Sequence, residues 1–224
     1  MLACSDRRMC SPMKIFWFKA QAPQRVLALA KHLHSAAELI EVDMMGGGLR
    51  TPEFVALNPN MKAPVLVDGD LVLWESSAIM AHLCIKAGSD MWPANNPSEQ
   101  VQVLRWLTWC DSHWAPPVAH FYFEHIVKPT FGIGAPDTAA LQQPALLADL
   151  DRYATVLDAH LRDRRYIACA RLTIADFYLA SMAMYWRDAH MPIAAHTHVV
   201  RWLDGLMQIP AWASPWPASR FVPA

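Results

Sequence analysis

The chain has no C-x-x-C pair, although it carries five cysteines. Cys4, Cys10, Cys84, Cys110 and Cys169 are odd in number and widely scattered. That excludes a disulfide framework, a thioredoxin-type redox pair and a cysteine-rich zinc site, and it suits a reducing, cytoplasmic setting. Charge is also scarce, at 17% of 224 residues with a formal net charge of −1. Between Met13 and Ala87, seven basic residues stand against seven acidic ones. With no polyanion footprint, nucleic acid is not an expected partner. Hydrophobic residues reach 54%, yet no apolar run approaches the roughly 20 residues of a membrane span. The longest, Phe177–Trp186, reads as an interior helix, and no membrane partner is expected. Met1–Pro12 contains Asp6, Arg7 and Arg8 but no apolar core, so it reads as a disordered tail and not a secretory signal. No metal is expected either, because His196-x-His198 and the set His113, His120 and His125 lack the close i, i+4 geometry and a supporting acidic cluster.

Against these absences, one stretch is dense with signals: Lys62-Ala63-Pro64-Val65-Leu66-Val67-Asp68-Gly69-Asp70-Leu71-Val72-Leu73-Trp74-Glu75-Ser76-Ser77. Val65–Val67 and Leu71–Leu73 are short β-rich runs, and the Asp68-Gly69 pair between them suits a two-residue type I′ turn. Ile79, Leu83 and Ile85 then begin an apolar helical stripe. A helix opening at Ser76 leaves its first N–H groups unpaired and carries partial positive charge there, so it can hold a carboxylate. Upstream, Lys14–Phe18 reads as a strand, Gln24–Leu33 as a helix with one buried face, and Glu38–Val42 as a second strand. Gly46-Gly47-Gly48 is a loop, and Thr51-Pro52-Glu53 pairs an N-cap with proline at the first helical position. The order is β-α-β-α-β-β-α.

Beyond Ser98 the strand signal vanishes, and eight of the ten tryptophans lie at or after Trp92. Gly88–Pro97 reads as the linker between the two textures. Val103, Leu107, Cys110 and Trp114 form a helical stripe that Pro116-Pro117 should kink or break. Helical spacing resumes through Tyr122–Val127, Pro129–Pro136 reads as a loop, and Leu146, Leu150, Tyr153, Leu157 and Leu161 mark another helix. Thr173 and Asp176 match a capping box with Leu172 and Phe177 as its hydrophobic staple, a folding signal and not a catalytic one.

The Pro-Val…Glu-Ser segment followed by Thr-Ile-Ala-Asp resembles the glutathione S-transferase family over roughly Met13–Trp212. The resemblance implies an α/β plus all-α fold. A thioredoxin-like domain would span 13–87, a linker 88–97 and a helical bundle 98–224, after a tail over 1–12. It also implies glutathione as co-substrate, a small hydrophobic electrophile as the other substrate, and a homodimer. By family position Ser76 would hold the γ-glutamyl carboxylate, Glu75 its ammonium, and Ala63, before a cis Pro64, the cysteinyl backbone. Arg50 and Lys62 would lie near the glycine carboxylate. Active members usually place a Tyr, Ser or Cys in the loop after the first strand, but Lys19–Arg25 has none. That leaves Gln21 and Ala22, through backbone N–H or side-chain amide, to stabilise the thiolate. Trp106, Trp109, His113, Trp114, Tyr122 and Tyr185 are the candidates to line an electrophile pocket. A non-catalytic glutathione-binding or protein-interaction module is the rival reading, and a glutathione-dependent isomerase or lyase differs only in substrate.

Overall fold

The computed structural model describes residues 12–221. The tail anticipated over residues 1–12 therefore lies, apart from Pro12, outside the described residues. The first part runs β1 (Lys14–Trp17), α1 (Gln21–His32), β2 (Glu38–Glu41), a 3-10 turn (Gly48–Arg50), α2 (Pro52–Leu57), β3 (Val65–Asp68), β4 (Leu71–Trp74) and α3 (Ser76–Ala87). The sheet order is β2-β1-β3-β4, with β1 and β2 parallel and the other two pairings antiparallel. Thr51 caps α2 by accepting from the Phe54 N–H at 3.3 Å, with Pro52 behind it. Residues Pro23 to Ala30 of α1 are all buried, because α1 packs against α3 and against two helices of the second part.

The hairpin turns one residue later than the Asp68-Gly69 pair suggests. Asp68 remains in the ladder opposite Leu71, so the central pair is Gly69-Asp70. Gly69 has φ +60, whereas Asp70 is not among the positive-φ residues. That fits a turn with glycine at the first central position, not the type I′ turn expected. The Asp68 side chain explains the shift. It accepts from Lys86 Nζ at 2.8 and 3.1 Å and lies 2.9 Å from His82 Nε2, tying the end of β3 to α3. Lys86 first, then His82, holds this carboxyl below the usual range.

The second part is helical. Helix α4 (Pro97–Trp109) passes through a π-helical turn (Cys110–Trp114) into α5 (Ala115–Tyr122), then a second π turn (Phe123–Val127) into α6 (Lys128–Phe131). Of the kink or break expected at Pro116-Pro117, the break does not occur. The wider turn just before the prolines relieves the clash a pyrrolidine ring makes with the carbonyl four residues earlier. Gly132, at φ +63, terminates the helix instead, so the loop anticipated from Pro129 starts later. There follow α7 (Thr138–Leu141), α8 (Pro144–Leu161), α9 (Ile174–Ala183), α10 (Thr197–Leu206) and α11 (Pro210–Ala213).

Every residue of α9 is buried, as befits a helix at the centre of a bundle. Its capping box forms as the sequence suggests, and Asp176 does more than cap. It accepts from the Ile167 N–H (2.8 Å), the Thr173 N–H (2.9 Å), the Trp202 indole (3.1 Å) and the Thr173 hydroxyl (3.2 Å). Val103, Leu107, Cys110 and Trp114 are all buried, and each aliphatic member contributes about 1.5–3 kcal/mol by leaving water.

Candidate functional site

Three chain segments meet at one end of the sheet. Phe16 near the end of β1 and Trp74 at the end of β4 both pair with Val65, the first residue of β3. Carrying the registers one residue further puts Pro64 between the loop after β1 and Glu75 at the start of α3. The Ala63-Pro64 bond is cis, and both residues are buried. The approach to them is set by Asn58, which is buried. Its side-chain amide donates to the Lys62 carbonyl at 2.7 Å, and its Oδ1 accepts from the Asn60 N–H at 3.0 Å. Asn58 was not among the expected site residues. The Asn-Pro dipeptide at 58–59, a turn signal, was the available clue.

Glu75 occupies the N-cap of α3 with φ 69 and ψ 116, a region that costs a non-glycine residue about 1–3 kcal/mol. Its side chain is exposed and caps nothing. Ser76 is 97% buried by relative exposure of 3%, and its hydroxyl has no hydrogen-bond partner among the described residues. The first turn of a twelve-residue helix thus presents uncapped N–H groups, a hydroxyl and a nearby carboxylate. Those are donors for an anion and an acceptor for a cation, side by side.

The second helix start is α1. Ala20 at its N-cap is extended and caps nothing. Pro23 has no N–H, and the Gln24 N–H already bonds to the Ala20 carbonyl at 3.0 Å. The Gln21 and Ala22 N–H groups are what remains in this first turn. The Gln21 side-chain amide, expected as an alternative donor, is instead committed to the Met182 carbonyl at 3.2 Å, where it ties α1 to α9. Arg50 ends the 3-10 turn and Lys62 precedes Ala63; both are exposed.

The six aromatic candidates divide. Tyr122 and Tyr185, with rings 5.8 Å apart, line a cavity of about 290 Å³ together with Lys19, Phe131, Asp188 and Trp216. Burial pushes both phenols upward, so they stay protonated at neutral pH. Trp106, Trp109 and His113 lie elsewhere, in a cluster with Tyr153 and His160 of α8. Trp114 is fully buried, its indole donating to the Leu179 carbonyl at 3.2 Å. They do not line this cavity. Each π turn adds a residue and so rotates the following helix face by about 100°. The face that carries Trp106 and Trp109 before the first π turn is therefore not the face that carries Tyr122 after it.

Trp216 was missed entirely. It stacks near Trp17 (6.0 Å between ring centroids) and donates to the Tyr185 hydroxyl at 3.3 Å. The segment carrying it is strapped across the first part. Lys31 Nζ donates to the Ser214 carbonyl at 2.5 Å, the Arg220 N–H donates to Glu41 Oε2 at 2.6 Å, and the Ser219 hydroxyl donates to Glu41 Oε1.

Residues 11–84 match the model of the glutathione S-transferase N-terminal domain, and residues 139–205 that of the C-terminal domain. Glutathione S-transferase 3 of Zea mays is 34% identical over 182 residues, covering 78% of this chain and 79% of the relative. The chain belongs to the glutathione S-transferase family. Glutathione S-transferase I bound with lactoylglutathione superposes with a TM-score of 0.80 at 25% identity, covering 92% of this chain and 98% of that one. The maize enzyme in complex with an atrazine glutathione conjugate gives 0.79 at 25%, covering 92% and 96%. Within this transferase framework the described cysteines are poor nucleophiles: burial pushes Cys84 and Cys110 to about 12 and raises Cys169. Among the described residues no group of three or more His, Cys, Asp or Glu converges as for a metal, and no helix is long and apolar enough to cross a membrane.

Proposed function

We propose that the chain is a cytoplasmic glutathione transferase that binds the tripeptide across this end of the sheet and directs its thiol at a small hydrophobic electrophile. The γ-glutamyl carboxylate sits on the Ser76 hydroxyl and the first N–H groups of α3, its ammonium on Glu75, and the cysteinyl backbone along Ala63-Pro64. The sulfur faces the Gln21 and Ala22 N–H groups, and Arg50 and Lys62 flank the glycine carboxylate. The electrophile occupies the cavity of Tyr122, Tyr185 and Trp216. One observation carries this reading: a strained Glu75 and a buried Ser76 whose hydroxyl has no partner among the described residues, at an uncapped helix start. Ser76→Ala removes a charge-assisted hydrogen bond worth about 1.5–3 kcal/mol, so glutathione should bind at least roughly tenfold more weakly by calorimetry. Unchanged affinity in folded Ser76→Ala and Glu75→Ala proteins would sink the assignment. The absence of any hydroxyl or thiol in Lys19–Arg25 favours slow conjugation, and in the limit a glutathione-binding module without turnover.

The assembly we infer is a homodimer. β4 is an edge strand leaving Leu71, Val72 and Trp74 exposed, and α4 leaves Val101 and Leu104 exposed. Apolar surface of this kind is stabilised by a second copy. Sedimentation should give twice the chain mass for the native protein and a monomer for Trp74→Glu with Leu104→Glu. A native monomer at micromolar concentration refutes the dimer.

A further inference from the structure

The largest of the described cavities shares no residue with that site. The turn after α8 reads Arg162-Asp163-Arg164-Arg165-Tyr166, and with α10 it borders a half-open groove of about 610 Å³. That is within the range of small-molecule sites. Four of the chain's thirteen arginines, Arg162, Arg164, Arg165 and Arg201, line it, with Asp163 the one carboxylate, leaving a surplus of three positive charges. The setting makes that surplus unusual, because residues 98–224 carry eleven acidic and ten basic side chains.

None of the four guanidinium groups has an ion pair among the described residues. Arg201 is nevertheless fixed in place. It donates to the carbonyls of Leu161, Arg162 (3.4 Å) and Arg164 (3.0 Å), at the end of α8, where the Leu161 carbonyl also accepts from the Arg164 N–H at 3.2 Å. Those carbonyls carry the partial negative charge of the α8 C-terminus and partly offset Arg201, so the cationic surplus at the groove rests on Arg162, Arg164 and Arg165. The apolar side of the cavity is Leu206 and Ile209, next to Tyr166, whose ring lies 5.3 Å from the Arg165 guanidinium carbon.

We propose that this cavity is a second ligand site, taking a small aromatic anion that bears a phosphate or comparable dianionic group. The dianion meets the arginines, and its ring lies against Tyr166, Leu206 and Ile209. A short groove on a chain of net charge −1 suits a small molecule and not a polynucleotide. Arg164 and Arg165 are exposed and take no part in the proposed glutathione site, which makes them suitable probes. Gly205 offers a second: it lines the cavity, and a Cβ built there meets nothing within 4 Å.

The test is calorimetric titration of the full chain with 1-naphthyl phosphate, 1-naphthol and inorganic phosphate, each in saturating glutathione. Expected is saturable binding of 1-naphthyl phosphate, matched by neither of the other two and weakened as salt rises. Arg164→Gln with Arg165→Gln, and separately Gly205→Leu, should each weaken it at least about tenfold while glutathione affinity stays unchanged. Binding that survives both variants, or inorganic phosphate binding as tightly as the aryl phosphate, overturns the proposal. So does naphthyl phosphate failing to saturate at millimolar concentration.

Discussion

A hydroxyl aimed at sulfur and a backbone N–H aimed at sulfur stabilise a thiolate to different degrees. The hydroxyl reorients and adds a donor, while the first-turn N–H groups of α1 offer a fixed direction and a share of the helix dipole. With only Gln21 and Ala22 N–H available, the thiol of bound glutathione should titrate near its free value of about 8.5. Ala20→Ser is the restoring change, since Ala20 is the N-cap and its replacement leaves the Gln21–Met182 tether intact. It should lower the bound thiol's pKa and speed conjugation of an aryl halide, each unit being about 1.4 kcal/mol. Ultraviolet titration of the wild-type complex showing mostly thiolate at neutral pH would refute this. The site's polar skeleton was legible at this scale because Ala63, Pro64, Glu75 and Ser76 sit within one hairpin and its flanks. The role of the Gln21 side chain was not, because its partner lies 161 residues away.

Among the elements, α9 shows how a folding signal becomes a structural hub. Asp176 is fully buried beneath four donors from three parts of the chain, and burial still pushes it up to about 6. Asp176→Asn brings an NH₂ group against those donors and leaves some unpaired, so it should cost about 2–5 kcal/mol. Denaturant unfolding measures the loss, and the folded fraction should keep wild-type glutathione affinity. Lost affinity at unchanged stability would assign Asp176 a part in binding. The carboxy-terminal strap makes the opposite point. Glu41 holds Ser219 and Arg220 across 178 and 179 residues, so no local pattern could place Trp216 in the cavity wall. Trp216→Ala should raise KM for a hydrophobic electrophile roughly fivefold, about 1 kcal/mol, with KM for glutathione unmoved. Glu41→Gln should do so more weakly. Equal changes in both Michaelis constants would show that the strap supports the glutathione site instead.

For the whole molecule, partly buried histidines set the response to acid. Desolvation lowers His32, His125 and His160 below the ordinary 6.5, with His34 and His190 adding repulsion to the first two. The unfolded chain takes up protons near 6.5 that the folded chain resists, so stability should fall as pH drops through that value. Asp176 opposes this. Its folded value of about 6 exceeds the unfolded 3.8, so between those limits the native state holds the extra proton, and this carboxyl favours folding as pH falls. Urea midpoints measured from about pH 7 to pH 5 should therefore decline, with a shallower slope below about 6. His160→Gln should flatten the decline, whereas a midpoint that climbs on acidification contradicts the sign.

A single cluster of buried residues runs from Ile15 through α1 and α9 to Trp212. The core is thus continuous across the change of texture near Gly88–Pro97. A fragment ending there would carry α1 with Val26, Leu27 and Leu29 stripped of the helices that cover them. Shuffling the two halves between related genes would break the same contacts unless both faces travelled together. The surface facing α9 thereby makes the fit of α1 depend on residues more than a hundred positions away in the chain.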